Sequence, residues 1–340
     1  MRLKNNENKY QVSLQAQDNY KAIDNQNNEL MAKLTGQLIN EGKRPVVGDE
    51  VIGELQNDFV LITDILPRHS VLRRQSNGSK DREQVMAANL DYVFITMSVN
   101  QDFNLARLDR YTTLVWDSGA NPVIVLTKTD LISNTQLENY QSQIEVNAYG
   151  IPIIATSMNE ISSLTKFDEY LVRGVNVAFV GSSGVGKSTL INKLMNQNVE
   201  KTNKIREDDG KGRHTTTSSK MHLLGSGARL IDTPGIRTVG IVGVSQSATE
   251  QTFADIVELA TQCKFNDCQH EAEPGCAVKA AVESGRLSAE RLASYQKLQH
   301  EMQYSGLSSR QIEQAKTDRM FKSVGGMKGF KNQVKNSVKK

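Results

Sequence analysis

The sequence predicts a multidomain α/β protein in three parts: an N-terminal OB-type β-barrel, a P-loop nucleotide-binding α/β domain, and a C-terminal helical zinc-binding domain. Three observations carry that expectation. A glycine-rich loop, Gly181-Ser182-Ser183-Gly184-Val185-Gly186-Lys187-Ser188-Thr189, stands between an apolar run at 175–180 and a helical pattern that opens at Leu190. Short β-rich runs separated by turn residues precede it, and every cysteine of the chain lies between positions 263 and 276.

The loop matches G-x-x-x-x-G-K-[ST] at a strand-to-helix junction, the setting in which such a loop holds phosphate. Glycines at 181, 184 and 186 let successive backbone N–H groups turn inward, and the new helix adds the positive end of its dipole. Lys187 supplies a mobile charge between β- and γ-phosphates. Ser188 offers a hydroxyl to Mg²⁺.

With 340 residues, 38% of them apolar, the chain has room for about two domains, or three if some are small. A net charge of +3 diagnoses no polyanionic partner unless the charge is unevenly placed. The N-terminus carries no apolar signal core, and no apolar run approaches the roughly 18 residues of a membrane helix, so a cytoplasmic protein without membrane contact is expected. Three cysteines, an odd number, argue against a disulfide framework.

Residues 1–34 are rich in Asn and Gln, with Tyr10 and Tyr20 the only aromatics, and read as a polar extension, a mobile arm or a marginal helix. The barrel is expected over 35–88, from runs at 44–52, 59–65 and 71–72. Around its last strands stand Arg68, His69, Arg73, Arg74, Lys80 and Arg82. Such a rim either tracks a nucleic-acid backbone or is a solvated edge, and the near absence of stacking aromatics leaves both open.

An α/β alternation follows over 89–245. Strands are expected at 92–97, 122–126 and 151–155, with helices at 105–115 and 136–147 between them. Alternation of this kind gives parallel strands joined by crossover helices, with ligands at the strands' C-terminal ends. At those ends stand Thr127-Lys128-Thr129-Asp130 and Thr156-Ser157. The first resembles the guanine-recognition box Asn-Lys-x-Asp with Thr for Asn, and the second resembles the short box that contacts the guanine oxygen through its backbone. A carboxylate at Asp130 can accept both N1–H and the 2-amino group of guanine, whereas adenine offers an acceptor there and no amino group. A site built for those donors rejects a base lacking them by up to roughly 10⁴–10⁵-fold. The stem of Lys128 can lie along the base plane.

Beyond the phosphate loop, 210–217 (Gly-Lys-Gly-Arg-His-Thr-Thr-Thr) is polar and flexible in composition, and strands are expected at 221–224 and 228–231. The second strand ends in Asp232-Thr233-Pro234-Gly235, which resembles the D-x-x-G switch box. Asp232 would hold Mg²⁺ through water, the Gly235 N–H would sense the γ-phosphate, and Thr216 would close over Mg²⁺. The order is unusual. Base recognition (127–130, 156–157) precedes the phosphate loop (181–189) and the switches (215–217, 232–235), the reverse of most GTPases, which indicates a circular permutation.

Cys263, Cys268, His270 and Cys276 read C-x₄-C-x-H-x₅-C. Three thiolates and one imidazole make a closed tetrahedral set suited to one structural Zn²⁺, with no position left for a catalytic water. The domain is expected over 246–318, with helical patterns near 288–299 and 308–316. The tail, 319–340, carries Arg319, Lys322, Lys328, Lys331, Lys335, Lys339 and Lys340 and no acid, so it either floats or lies on phosphate.

The permuted order, the Gly-Arg-His-Thr-Thr-Thr loop, the Asp-Thr-Pro-Gly-Ile-Arg segment and the cysteine cluster together resemble the RsgA (YjeQ/YloQ) family of GTPases dependent on the small ribosomal subunit. The resemblance covers roughly residues 35–320. It implies an OB barrel, a circularly permuted GTPase domain and a zinc-binding C-terminal domain in a monomer that turns GTP into GDP and acts in late 30S maturation on 16S rRNA. Ile236 occupies the place where many GTPases carry a water-positioning Gln, so slow intrinsic turnover is expected. The resemblance also suggests His214 as the residue that orients the water, beside Thr216 and Lys187. Two rivals are a P-loop ATPase or small-molecule kinase, and a nucleotide-gated RNA-binding assembly module with incidental turnover.

Overall fold

In the computed structural model, which describes residues 7–16, 19–75, 83–100, 102–199, 219–232 and 244–303 with positions 311 and 314, the first described element is a strand. β1 (Glu7–Ala16), β2 (Asn19–Ile23), β3 (Glu29–Leu34), β4 (Glu50–Gln56) and β5 (Phe59–Ile65) pair in the order β1-β2-β3-β5-β4 and close through β1 and β4. A short helix, α1 (Gly36–Asn40), links β3 to β4 and buries Leu38. This is the expected OB-type barrel, but it runs from residue 7 to 65 and not over 35–88. The polar extension is therefore corrected: 7–34 supplies three barrel strands. Tyr10, Val12, Tyr20, Ala22 and Ala32 point inward every second residue and fill the barrel with Val51, Val60 and Ile62. The polar residues between them are of two kinds: Asn8, Lys9, Asn19 and Glu29 are exposed, while Gln11 and Ser13 are buried, Gln11 donating to the Gly48 carbonyl at 3.0 Å.

Residues 71–75 and 83–88 leave the barrel. β6 (Val71–Gln75) and β7 (Glu83–Ala88) form a separate antiparallel ribbon whose Leu72, Met86 and Ala87 pack into the core of the next domain. The expected basic rim is also redistributed. Arg68 grips the fully buried Asp49 with two hydrogen bonds of 2.7 Å, and His69 lies 3.6 Å from Asp91. Arg73 is exposed on the ribbon, while the Arg74 side chain, Lys80 and Arg82 lie outside the described residues.

The central sheet runs β10 (Ile153–Ala155), β9 (Asn121–Thr127), β8 (Tyr92–Ser98), β11 (Asn176–Val180), β13 (Arg229–Asp232), β12 (Ser219–Leu223). All pair in parallel except β12, which is antiparallel to β13. β8, β9 and β11 are buried almost throughout because both faces are covered. One face packs against α2 (Leu105–Ser118) and α3 (Asn134–Asn147), the other against α4 (Lys187–Val199) and the turn Ile161–Phe167. Asn104 caps α2 by accepting from the Arg107 N–H, and a Ser133/Gln136 capping box starts α3.

β12 pairs on its other edge with β1, Leu14 opposite Lys220 and Gln15 opposite Ser219, so barrel and central sheet share one hydrogen-bonded surface. The join is close: a Cβ on Gly48, whose φ is +95°, would meet the Ala88 carbonyl oxygen at 2.0 Å.

α5 (Gln246–Thr252), α6 (Ala254–Ala260), α7 (Ala277–Glu283) and α8 (Ala289–Gln303) build a third core around Phe253, Ile256, Val278 and Leu298. It rests on α2, where the Ser245 N–H donates to Asp117 at 2.8 Å. The pattern at 308–316 lies outside the described residues except for Gln311 and Gln314, and the tail lies wholly outside them. No helix among the described residues is long and apolar enough to cross a membrane.

Candidate functional site

The phosphate loop leaves β11 against β8. A Cβ on Gly181, at φ +141°, would meet the Thr96 carbonyl oxygen at 2.2 Å, so only glycine fits where the two strands approach. Gly184 and Gly186 also have positive φ, while Val185 is buried and anchors the loop. Lys187 opens α4 and folds its Nζ back into the loop, donating to the carbonyls of Gly181, at 2.6 Å, and Ser182. Ser183, Ser188 and Thr189 are exposed around the same turn.

The two base-side loops reach this loop from β9 and β10. Thr127, at the end of β9, donates its hydroxyl to the Val185 carbonyl at 2.6 Å. The threonine found where the guanine box has asparagine thus ties that box to the phosphate loop with a single hydroxyl. Lys128 adopts a left-handed backbone, φ +61°, and sends its Nζ to the Gly184 carbonyl at 2.9 Å. Asp130 follows in a 3-10 turn, Thr129–Leu131.

Its carboxylate meets the β10 loop: Oδ1 accepts from Ser157 Oγ at 2.6 Å and Oδ2 from Asn159 Nδ2 at 2.8 Å. The Ser157 hydrogen bond holds the Asp130 carboxyl below the usual range, with help from Asn159. Thr156 is buried beneath and shares a hydrogen bond with Ser163 at 2.9 Å. Lys193 of α4 holds the Met158 carbonyl and so fixes this loop against the phosphate side.

Sequence reading missed the residues that α2 contributes. Arg107 Nη1 donates to Ser182 Oγ at 2.6 Å and pairs with Asp102, and Tyr111, one turn further on, lies beside Ser182. The only prior signal was their separation of four positions, which puts both on one helix face without saying what that face meets. Asp232 stands exposed at the end of β13. His214, Thr216 and Gly235, like Ile236, lie outside the described residues.

Cys263, Cys268, His270 and Cys276 converge in the C-terminal domain, their ligand atoms all within 4.8 Å of one another. A tetrahedral zinc with Zn–S of about 2.3 Å and Zn–N of about 2.1 Å separates two sulfurs by about 3.8 Å and a sulfur from a nitrogen by about 3.6 Å. The observed separations are 3.9 Å for Cys263 and Cys276, 3.7 Å for Cys263 and His270 Nδ1, and 3.4 Å for His270 Nδ1 and Cys276. The donor set therefore fits such an ion. Burial opposes the Cys263 thiolate, yet the Val278 and Ala277 amides at the start of α7 outweigh it and lower its pKa. Burial and the two neighbouring sulfurs push Cys268 up to about 12, and burial lowers His270, which favours the neutral imidazole a metal needs.

The sequence model of the RsgA GTPase family matches residues 65–242. A protein named small ribosomal subunit biogenesis GTPase RsgA 2, from Lactiplantibacillus plantarum, is 50% identical over 308 residues, covering 89% of this chain and 86% of the relative. A second, small ribosomal subunit biogenesis GTPase RsgA from Methanosarcina acetivorans, is 45% identical over 277 residues, 81% of this chain and 74% of its own. Among solved structures, YjeQ from Thermotoga maritima superimposes with a TM-score of 0.69 at 25% identity over 87% of this chain and 98% of that one. YloQ, described as a circularly permuted GTPase, gives 0.65 at 25% identity over 88% and 98%. Arriving by a separate route at the permuted order already read from the loops, these similarities establish that the chain belongs to the RsgA GTPase family and is a GTP hydrolase.

Proposed function

We propose that this GTPase works on the small (30S) ribosomal subunit late in its maturation, binding 16S rRNA and releasing when GTP has been hydrolysed. The observation that carries the reading is the convergence of the base-side loop on the phosphate loop, Thr127 to Val185 at 2.6 Å and Lys128 to Gly184 at 2.9 Å. Its ribosomal side is supported by the relatives, which are named for small-subunit biogenesis.

In this reading Asp130 accepts the two guanine donors, Lys128 lies along the base, and the Thr156-Ser157 backbone faces the guanine oxygen. Residues 181–189 wrap the phosphates, with Lys187 between β and γ. Ser188, Thr216 and Asp232 hold Mg²⁺, which neutralises phosphate charge when bound with GTP. Gly235 senses the γ-phosphate, and His214 orients the attacking water once the subunit orders its loop. One Zn²⁺ on Cys263, Cys268, His270 and Cys276 is structural. The protein acts as a cytoplasmic monomer, and its basic tail contacts rRNA.

GTP hydrolysis measured with 30S subunits, with 50S subunits and alone tests the proposal. Stimulation by 30S alone is expected. Equal turnover in all three would overturn the subunit-dependent reading and favour a nucleotide-gated RNA-binding module.

A further inference from the structure

Asp130 is exposed, yet both its oxygens are engaged, and the two partners differ in kind. Ser157 is a hydroxyl that can turn about its own bond and give way to another donor. Asn159 offers a planar NH₂ group, the same donor chemistry as the 2-amino group of guanine, and places it 2.8 Å from Oδ2.

The Asn159 backbone is fixed while its side chain is not. Its N–H donates to Ser157 Oγ at 3.1 Å, Ser157 and Glu160 form a β-bridge, and Ser163 fastens the loop from below. The side chain is exposed and is held at its end by Asp130, so it can swing away without moving the loop.

We infer that Asn159 is a specificity-determining residue of the base site: its carboxamide stands in for the guanine 2-amino group on Asp130 and must withdraw when that group arrives. The inference rests on the assignment of Asp130 to the guanine base.

The consequence is a thermodynamic asymmetry between bases. Guanine replaces the Asn159 bond with its own, so part of the affinity gained at Asp130 is cancelled by the bond given up. Hypoxanthine keeps N1–H but has no 2-amino group, so Asn159 keeps its hold on Oδ2 and spares the carboxylate an unpaired acceptor. Asn159 therefore narrows the discrimination between guanine and hypoxanthine nucleotides.

Calorimetric titration of the full chain with GDP and with IDP, in wild type and Asn159→Ala, tests this. Asn159→Ala should bind GDP about three- to tenfold more tightly and IDP as before, so the GDP/IDP ratio widens by the same factor. Weaker GDP binding would mean that Asn159 contacts the base itself. Equal shifts for both nucleotides would mean a loop effect, and no shift would mean that the Asp130 contact has no bearing on nucleotide binding. Each of these three outcomes overturns the inference. Asp130→Asn, titrated in parallel, separates the two layers: if it leaves the guanine preference intact, the base-site assignment itself fails, whatever Asn159 does.

Discussion

Arg291 of α8 donates to Asp109 of α2 at 2.6 Å, and both side chains are almost wholly buried. The guanidinium also donates to the Thr252 carbonyl and to both oxygens of Asp255, and lies 4.3 Å over the Phe253 ring. Its partner helix is the one that carries Arg107 and Tyr111 to Ser182. One face of α2 thus meets the phosphate loop while another holds the C-terminal domain, which Arg110 and Glu301 fasten further out at 2.7 Å.

Removing one member of a buried pair strands the other. Arg291→Ala should destabilise the protein by about 3–5 kcal/mol in urea unfolding. Asp109→Asn added to it should recover part of that loss, and simple additivity of the two changes would show that they do not interact.

Burial outweighs the pull of Arg291 and raises the Asp109 carboxyl to about 6. The folded state therefore keeps a proton that the unfolded chain releases near the ordinary carboxylate value. This group's contribution to stability is greatest at acid pH and declines as pH rises from about 4 to 6. Asp109→Asn should flatten that part of the stability profile, measured as urea midpoints against pH. An unchanged slope would remove Asp109 as its source.

The sulfur and nitrogen spacing at Cys263, Cys268, His270 and Cys276 predicts one tightly held Zn²⁺ per chain. A colorimetric chelator should release one equivalent, with loss of helical signal and a lower Tm, because Cys276 also caps α7 and packs in the third core. Release without structural change would make the ion incidental.

Asp130→Asn should shift preference from guanine toward xanthine nucleotides, because the amide NH₂ group can donate to the xanthine 2-carbonyl where the carboxylate only accepts. Competition of GDP and XDP for a fluorescent nucleotide reads the shift. Unchanged GDP affinity would take Asp130 out of the base site.

His214→Ala should leave the slow intrinsic rate intact and abolish most of the stimulation by 30S subunits, by about 10²-fold or more if the imidazole orients the water. Wild-type turnover with 30S present would reassign that role.

How much was readable beforehand depended on how local the chemistry is. The phosphate loop must place glycines and a lysine at fixed steps, so 181–189 announces itself. Three cysteines and a histidine within one short loop do the same for the metal cluster. The barrel was misplaced because β1 to β3 are rich in polar residues, and even buried positions such as Gln11 and Ser13 are polar, so the segment carries no long apolar run.

The linear sequence by itself determined the family, the permuted order of its loops and the three-cysteine, one-histidine cluster, since each needs particular residue types at short spacing. Only the tertiary structure decided that Asn159 meets Asp130, that Arg107 and Tyr111 meet Ser182, and that Arg291 meets Asp109 from 182 positions away. Contacts between distant segments are set by how the sheet, helices and barrel pack, and no local pattern of residues encodes which polar side chains that packing brings face to face.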